Sequence, residues 1–402
     1  MKLQSIETHV VGNPPPSRGG RYFVFVQLQT ACGITGVGEI YNATFSPHVV
    51  ADMARDVFTR IFADQDPHHI ERLWRITYGA GYTLRPDVTV MGVLSALEMA
   101  CWDIIGKAAD KPVYQLLGGK IHERLRSYTY LYPPGDDYVY PDPDTPNVYN
   151  DPDIAAQVAL HWVDEGFTAI KFDPAGPYTV YDGHQPSLED LERSELFCRR
   201  IREAVGTRAD LLFGTHGQFT VSGAKRMARR IEAYDPLWFE EPVPPEMPEQ
   251  MAEVARATSI PISTGERLCT KYEFARVLEC GAASILQMDL GRVGGLLEAK
   301  KIAAMAETRY AQIAPHLYCG PVVGAANIQL ATCTPNFLIL ESIQKWDGFH
   351  ADLLNKPIQW EDGYVIPPTQ PGLGIELNQA VVRANPYTGD TLHLTMDTEP
   401  LR

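Results

Sequence analysis

From about residue 125 to 350 the chain repeats one pattern, a short apolar run followed by a longer amphipathic stretch. The runs are RSYTYLY, TAIKFD, DLLFGTH, PLWFEE, IPISTGE, SILQMD, AQIAPH and FLILES. Helically spaced segments lie between them, among them GAKRMARRIEAY, EFARVLECGA and LLEAKKIAAMAE. Strands alternating with helices of this length form parallel βαβ units. Eight such strands predict an α/β fold of the (β/α)₈ barrel type. The flanks differ. Residues 1–124 open with the strands RYFVFVQL and ITGVGEIY, joined by a turn at Ala31-Cys32-Gly33, and continue into helical patterns such as VLSALEMACWDIIGKAA. This is an α+β layout. Residues 351–402 carry short strand-like pieces and many prolines, and are expected to pack back against this first unit. The domains are therefore expected at 1–124, 125–350 and 351–402.

The run-endings carry the chemistry. Glu240, Glu266, Asp289, His316 and Glu341 follow one another at spacings of 26, 23, 27 and 25 residues, each at the end of its strand. In a barrel of this kind the C-terminal strand ends converge on one pocket. Buried carboxylates there must be balanced by a metal, a cation or a proton. Four carboxylates and a histidine in succession predict a shared active site. Glu241 alternates away from its neighbour and is expected to pair with a nearby cation. DLLFGTH departs from PLWFEE, IPISTGE, SILQMD and FLILES: it ends at Gly214-Thr215-His216, with no carboxylate.

Composition narrows the field. The 402 residues, 45% hydrophobic and 21% charged, are ordinary for a globular protein of more than one domain. A net charge of −15 argues against a nucleic-acid partner. No run of about 18 apolar residues and no apolar signal core are read, so a membrane role is not expected and the cytoplasm is. Seven scattered cysteines form no C-x-x-C pair, which excludes zinc-ribbon and thioredoxin-like sites and predicts reduced, mostly buried thiols. GVGE at Gly36–Glu39 lacks the third glycine of a dinucleotide fingerprint. The segment Pro133–Asp153 is too rich in Pro and Asp for a core element, and it lacks the glycine and terminal glutamate of a calcium loop. Following the first barrel strand, it is expected to overhang the pocket as a lid.

The early GVGE, the segment ALEMACWDIIGKAADKPVYQLLGG, FEEPV, STGERL, ILQMDLGRVGGLLEAKKIA, APH and PGLGIE together resemble the enolase superfamily. The resemblance runs almost end to end and lies within the mandelate racemase-like subgroup, nearest its acid-sugar dehydratases of the galactonate and mannonate dehydratase kind. It implies a (β/α)₇β barrel under an α+β capping domain, Mg²⁺ as cofactor, an acid sugar as small-molecule partner, and a homo-oligomer. A proton next to a carboxylate is very weakly acidic, and its removal needs positive charge where the enediolate forms. Glu240 and Glu266 match the family's metal ligands. The resemblance also implies a dyad in which His316, held by Asp289, takes the C2 proton. Glu341 matches the eighth-strand acid, able to hydrogen-bond the enediolate if protonated.

Two strands depart from the family. Racemases and cycloisomerases carry K-x-K on the second strand, whereas here it reads Lys171-Phe172-Asp173, which disfavours two-sided proton exchange. Lys171 either neutralises the substrate carboxylate or forms a salt bridge inside the anionic ring. On the third strand the family pattern is D-x-H-G or D-x-N-G, and Gly214 stands where the metal-binding aspartate belongs. Asp210 lies roughly 13 Å upstream along a strand and is too distant. His216 offers an imidazole, which suits Mg²⁺ poorly. Asp173, at the end of the neighbouring strand beside the space left at Gly214, is the expected third ligand. The resemblance to dehydratases with H-G at this place implies that His216, then free, protonates the departing C3 hydroxyl; the alternative is an ordinary pocket hydrogen-bonder. The expected reaction is dehydration of an aldonate to a 2-keto-3-deoxy acid. The alternatives are an epimerase or cycloisomerase on the same scaffold, and a non-catalytic sugar-acid-binding protein. Metallohydrolase chemistry lacks its His-x-His, since SYTYLY occupies that place. Arg18, Tyr82 and Arg85 are candidates for the pocket roof.

Overall fold

The computed structural model describes residues 1–41, 44–82, 84–135, 139, 142 and 144–400. Leu3–Gly12 (β1), Tyr22–Thr30 (β2) and Thr35–Ile40 (β3) form an antiparallel sheet in the order β1-β2-β3. β2 and β3 are the two strands read from the sequence, and the Gly33 N–H closes the turn between them onto the Thr30 carbonyl at 2.9 Å. β1 escaped that reading because an edge strand with mostly half-exposed positions carries a weak apolar signal. Three helices cover the sheet: Pro47–Val57 (α1), Ile70–Gly79 (α2) and Val88–Ala108 (α3). Gly38 explains how closely α3 lies on β3, since a Cβ there would stand 1.9 Å from the Ala96 carbonyl oxygen. α3 is the one helix among the described residues long and apolar enough to cross a membrane. Most of it is buried inside the protein, including Glu98 and Asp103.

After the short helix Val113–Leu116 (α4) come eight parallel strands. They are Leu125–Tyr130 (β4), Ala169–Phe172 (β5), Asp210–Gly214 (β6), Trp238–Glu240 (β7), Ile262–Thr264 (β8), Ile285–Leu286 (β9), Gln312–Ile313 (β10) and Leu340–Ser342 (β11). Seven helices connect them: Pro152–Asp164 (α5), Leu188–Val205 (α6), Val221–Ile231 (α7), Pro248–Ala255 (α8), Thr270–Cys280 (α9), Leu296–Glu307 (α10) and Pro321–Thr332 (α11). Each strand from β4 to β10 pairs with the next, and β11 pairs with β4. A parallel bridge from Ile313 to Phe337 spans the remaining gap, so the pairings run round a (β/α)₇β ring.

Alternation along the strands sorts two apolar layers. Tyr128, Ala169, Leu212, Trp238, Ile285, Ala314 and Ile339 form a core of their own. Their strand neighbours Ile170, Phe172, Leu211, Phe213 and Phe239 belong to the main core shared with the helices. All seven cysteines are free, and five are buried.

Buried carboxylates join the cap to the barrel. Glu39 of the GVGE stretch accepts hydrogen bonds from the N–H groups of Gly320, Val322 and Val323 at the start of α11. Glu98 accepts from Leu296 and Leu297 at the start of α10. Both complete helix N-termini, where orphan N–H groups favour an acceptor. Burial nevertheless pushes Glu39 up to about 8 and Glu98 up to about 7. Asp103 receives the N–H groups of Val37 and Leu373 and pairs with Lys107 at 2.8 Å.

The C-terminal segment contains Phe349–Asp352 (α12), the hairpin Trp360–Glu361 (β12) and Tyr364–Val365 (β13), and Gln379–Ala384 (α13). β13 pairs antiparallel with β4, Gly372 bridges to Pro112, and Pro386 bridges to Val11 of β1. The lid expected over Pro133–Asp153 falls partly outside the described residues, at 136–138, 140, 141 and 143.

Candidate active site

The barrel delivers the strand-end side chains of β5 to β11 to one place. His316, three residues past β10, places Nδ1 2.6 Å from Asp289 Oδ2. Its Nε2 stands 3.2 Å from Glu266 Oε2 and 4.0 Å from Glu341 Oε2. Glu341 is tethered by the Leu317 N–H at 2.8 Å, and Asp289 by the Gly291 N–H at 2.7 Å. Lys171, 2% exposed on β5, donates to Glu240 Oε1 at 2.6 Å and lies 3.8 Å from Glu341 Oε1. The other oxygen of Glu240 accepts from Trp238 Nε1 and Gln287 Nε2. Of the two roles left open for Lys171, the ion pair with Glu240 is therefore formed. Glu241 faces away and pairs with Arg267 at 2.8 Å, as its alternation requires.

Across from His316, the Gly-Thr-His-Gly ending of β6 builds a second histidine site. His216 and Gly217 turn the chain with φ of 44° and 77°. A Cβ at Gly217 would stand 2.2 Å from Arg267 Nη2, so only glycine fits this left-handed position. The turn is pinned to β7 by Thr215 Oγ1 donating to the Glu240 and Glu241 carbonyls and by the Gly217 N–H donating to Glu241. Arg267 holds the His216 carbonyl at 2.8 Å. His216 Nδ1 then lies 2.8 Å from Asp173 Oδ2 and 2.6 Å from Tyr178 Oη. Its Nε2 faces Glu266 Oε1 at 3.7 Å. Two histidine–aspartate pairs thus present their Nε2 atoms to the two oxygens of one glutamate.

The electrostatics follow from crowding. Burial depresses both imidazoles, but Glu266 together with the paired aspartate outweighs it. His216 is raised to about 9, and His316 is raised as well. Burial opposes ionisation of Glu266 too, yet His216, His316 and Lys171 hold its carboxyl well below the usual range. Burial raises Asp173 against the pull of His216.

The site also suits a divalent cation. Asp173, Glu240, Glu266, Asp289 and Glu341 outnumber the lysine and two histidines they surround, even with both imidazoles protonated. The buried Asp173 Oδ1 has no hydrogen-bond partner, and Glu266 Oε2 has only the ion-pair contact with His316 Nε2 at 3.2 Å. Such oxygens are costly unless a cation completes them. Donor atoms of His216, Glu240 and Glu266 lie within 4.8 Å of one another, and Asp173 reaches this triad through His216. A Cβ at Gly214 would sit 3.6 Å from Asp173 Oδ2, so the Asp173 carboxylate lies against the side-chain space that Gly214 leaves free.

Residues 153–381 match the model described as enolase C-terminal domain-like. Residues 7–118 match the mandelate racemase / muconate lactonizing enzyme N-terminal domain. The chain belongs to the mandelate racemase/muconate lactonizing enzyme family. Among curated members of this family, a D-xylonate dehydratase of Haloferax volcanii is 32% identical over 97% of this chain and 90% of its own length. A D-galactonate dehydratase of Verminephrobacter eiseniae is 32% identical over 95% of this chain and 94% of its own. A solved structure from Labrenzia alexandrii, assigned to the mandelate racemase/muconate lactonizing enzyme group, superposes with a TM-score of 0.95 at 75% identity, covering 99% of this chain and 100% of that one. The family's barrel and cap account for the architecture described above.

Some residues at the site were invisible to sequence reasoning. Tyr178 was missed because it lies in the irregular loop PAGPYTVYDG after β5, which has no apolar period. The Tyr41 ring packs 5.7 Å from the His316 ring, and the buried Arg292 guanidinium lies over it, 3.8 Å from its centre. Of the roof candidates, Arg18 donates to the Gly135 carbonyl in the loop after β4. Tyr82 is 94% exposed, and Arg85 is exposed as well.

Proposed function

We infer that the protein is a Mg²⁺-dependent hydro-lyase that dehydrates a sugar acid, an aldonate, to a 2-keto-3-deoxy acid. The observation that carries this reading is the pair of histidine–aspartate couples facing one another across Glu266. Its similarity to curated sugar-acid dehydratases along nearly its whole length supports the same chemistry. Glu240, Glu266 and the unpartnered Oδ1 of Asp173 would hold the ion. Bound there, Mg²⁺ supplies positive charge beside the substrate carboxylate as the α-carbon loses its proton.

The chain's own groups do the rest. His316 Nε2 takes the C2 proton, with Asp289 fixing the ring and stabilising the imidazolium. Glu341 and Lys171 line the position where the enediolate oxygens develop. The C2–C3 double bond then forms as the C3–O bond breaks. His216 Nε2 gives its proton to the departing hydroxyl, which leaves as water, and the enol tautomerises to the ketone. A departing hydroxyl needs such an acid, and the Asp173 carboxylate at His216 Nδ1 favours the protonated form of that ring.

The test is incubation with a panel of aldonates and aldarates in D₂O with Mg²⁺. Keto-acid formation supports the reading. Inversion or deuterium exchange at C2 without keto acid replaces it with an epimerase. Calorimetric Mg²⁺ titration should show stoichiometric binding that Asp173→Ala weakens about 10-fold or more. An unchanged affinity removes Asp173 from the ligand set.

A further inference from the structure

The C-terminal segment from His393 to Asp397 runs from the tyrosines beside His316 to the loop that holds Tyr178. His393, 2% exposed, lodges between the rings of Tyr22, Tyr41 and Tyr318, and its Nε2 contacts the Tyr318 carbonyl at 2.9 Å. Tyr41 is also the residue that packs on the His316 ring. Four residues further on, Asp397 pairs with the loop after β5: its N–H donates to the Tyr178 carbonyl and its carbonyl accepts the Val180 N–H, both at 2.9 Å. From the other side, Gln218 Nε2 donates to the carbonyls of Gly176 and Pro177. Tyr178 is thereby held at the backbone on both flanks, although Val180 and Tyr181 beside it are more than half exposed.

We propose that Tyr178 is a positioning residue for His216, and that the tail around Asp397 is the strap that keeps it in place. His216 is built differently from His316: it stands on a left-handed turn, and its side chain retains 28% exposure. Its Nδ1 has two partners, Asp173 Oδ2 and Tyr178 Oη, and the tyrosine ring also packs edge-on at 4.8 Å. Asp173 is shared, since its other oxygen is buried and open to a cation. Tyr178 has no such second duty, so it fixes the imidazole plane and the direction of Nε2. A misaim of about 1 Å in a reacting group costs on the order of 100-fold. The segment around Asp397 thus reaches the active site through the loop of Tyr178.

The inference rests on the dehydratase reading, and two measurements separate their failures. The first needs no turnover. Asp397→Pro removes the N–H that Tyr178 accepts, whereas Asp397→Ala keeps it. Amide exchange of residues 176–181, followed by mass spectrometry, should rise about fivefold in the proline variant and stay unchanged in the alanine variant. Unchanged protection in both overturns the strap. The second measurement is partitioning in D₂O. Tyr178→Phe should raise C2 deuteration of recovered substrate, relative to keto acid formed, by about 10-fold or more, while the His316-driven exchange rate stays near wild type. A variant that loses exchange and elimination in parallel shows a merely structural tyrosine and overturns the positioning role. If the unaltered protein forms no keto acid, the dehydratase reading fails, and the exchange experiment still decides the strap.

Discussion

The two histidine–aspartate couples use the same atoms and differ in what holds them. His316 and Asp289 follow adjacent barrel strands, are 5% and 0% exposed as side chains, and are fixed by neighbouring backbone. His216 and Asp173 are 28% and 1% exposed, and they sit among a left-handed turn, a loop tyrosine and the Asp397 segment that pairs with that loop. A base that must meet a C–H bond gains from rigidity. An acid assembled from loops needs added ties to reach comparable precision, and Tyr178 and the Asp397 segment are placed to supply them.

Substitutions can break this comparison in order of expected effect. His316→Asn should abolish both C2 exchange and keto-acid formation, by about 1,000- to 10,000-fold, with the melting temperature retained. Substantial keto-acid formation in that variant would end the assignment. His216→Asn should lower keto-acid formation by about 100- to 1,000-fold while leaving C2 exchange measurable by NMR in D₂O. Equal loss of both would mean that the two couples act in one step.

A smaller effect is in the titration of His216. In the metal-free protein the protonated form of His216 is lost as pH rises through about 9, a titration followed by NMR of its ring protons. Glu266 and Asp173 hold this value up against burial, and Asp173→Asn should therefore move the metal-free titration toward neutrality. A titration that stays in place would detach Asp173 from His216.

The smallest expected effect tests the strap. Burial pushes His393 and His350 down to about 4 from an ordinary 6.5. The unfolded chain takes up these protons near pH 6.5, whereas the folded chain takes them only near pH 4. Stability should therefore decline as pH falls through that window, by roughly 1–3 kcal/mol per histidine, and level off below it. Thermal melts of His393→Gln should show a shallower decline than wild type. An identical slope would show that His393 is not held neutral by its cage.

Much of the site was legible because, in a barrel, chain order and spatial order coincide. Glu240, Glu266, Asp289 and His316 lie at, or up to three residues past, the ends of strands that pair with their sequence neighbours, and Glu341 lies on β11, which pairs with β4, so even spacing along the chain becomes convergence in space. Lys171 and Gly214 were readable for the same reason, including the space left beside Asp173. GVGE was readable only as something other than a nucleotide site. Its glutamate proved to complete a helix start some 280 residues away, a contact with no periodic signature.

By itself the sequence determined the alternation that makes a parallel barrel, the ring of carboxylates and the histidine at each side of it. Period and spacing are local quantities that a chain carries before it folds. Only the tertiary structure decided that Asp173 hydrogen-bonds His216, that Tyr178 shares the same nitrogen, and that Asp397 reaches across to hold that loop. Those contacts join irregular segments, where nothing in the order of residues sets a direction until the rest of the molecule is in place.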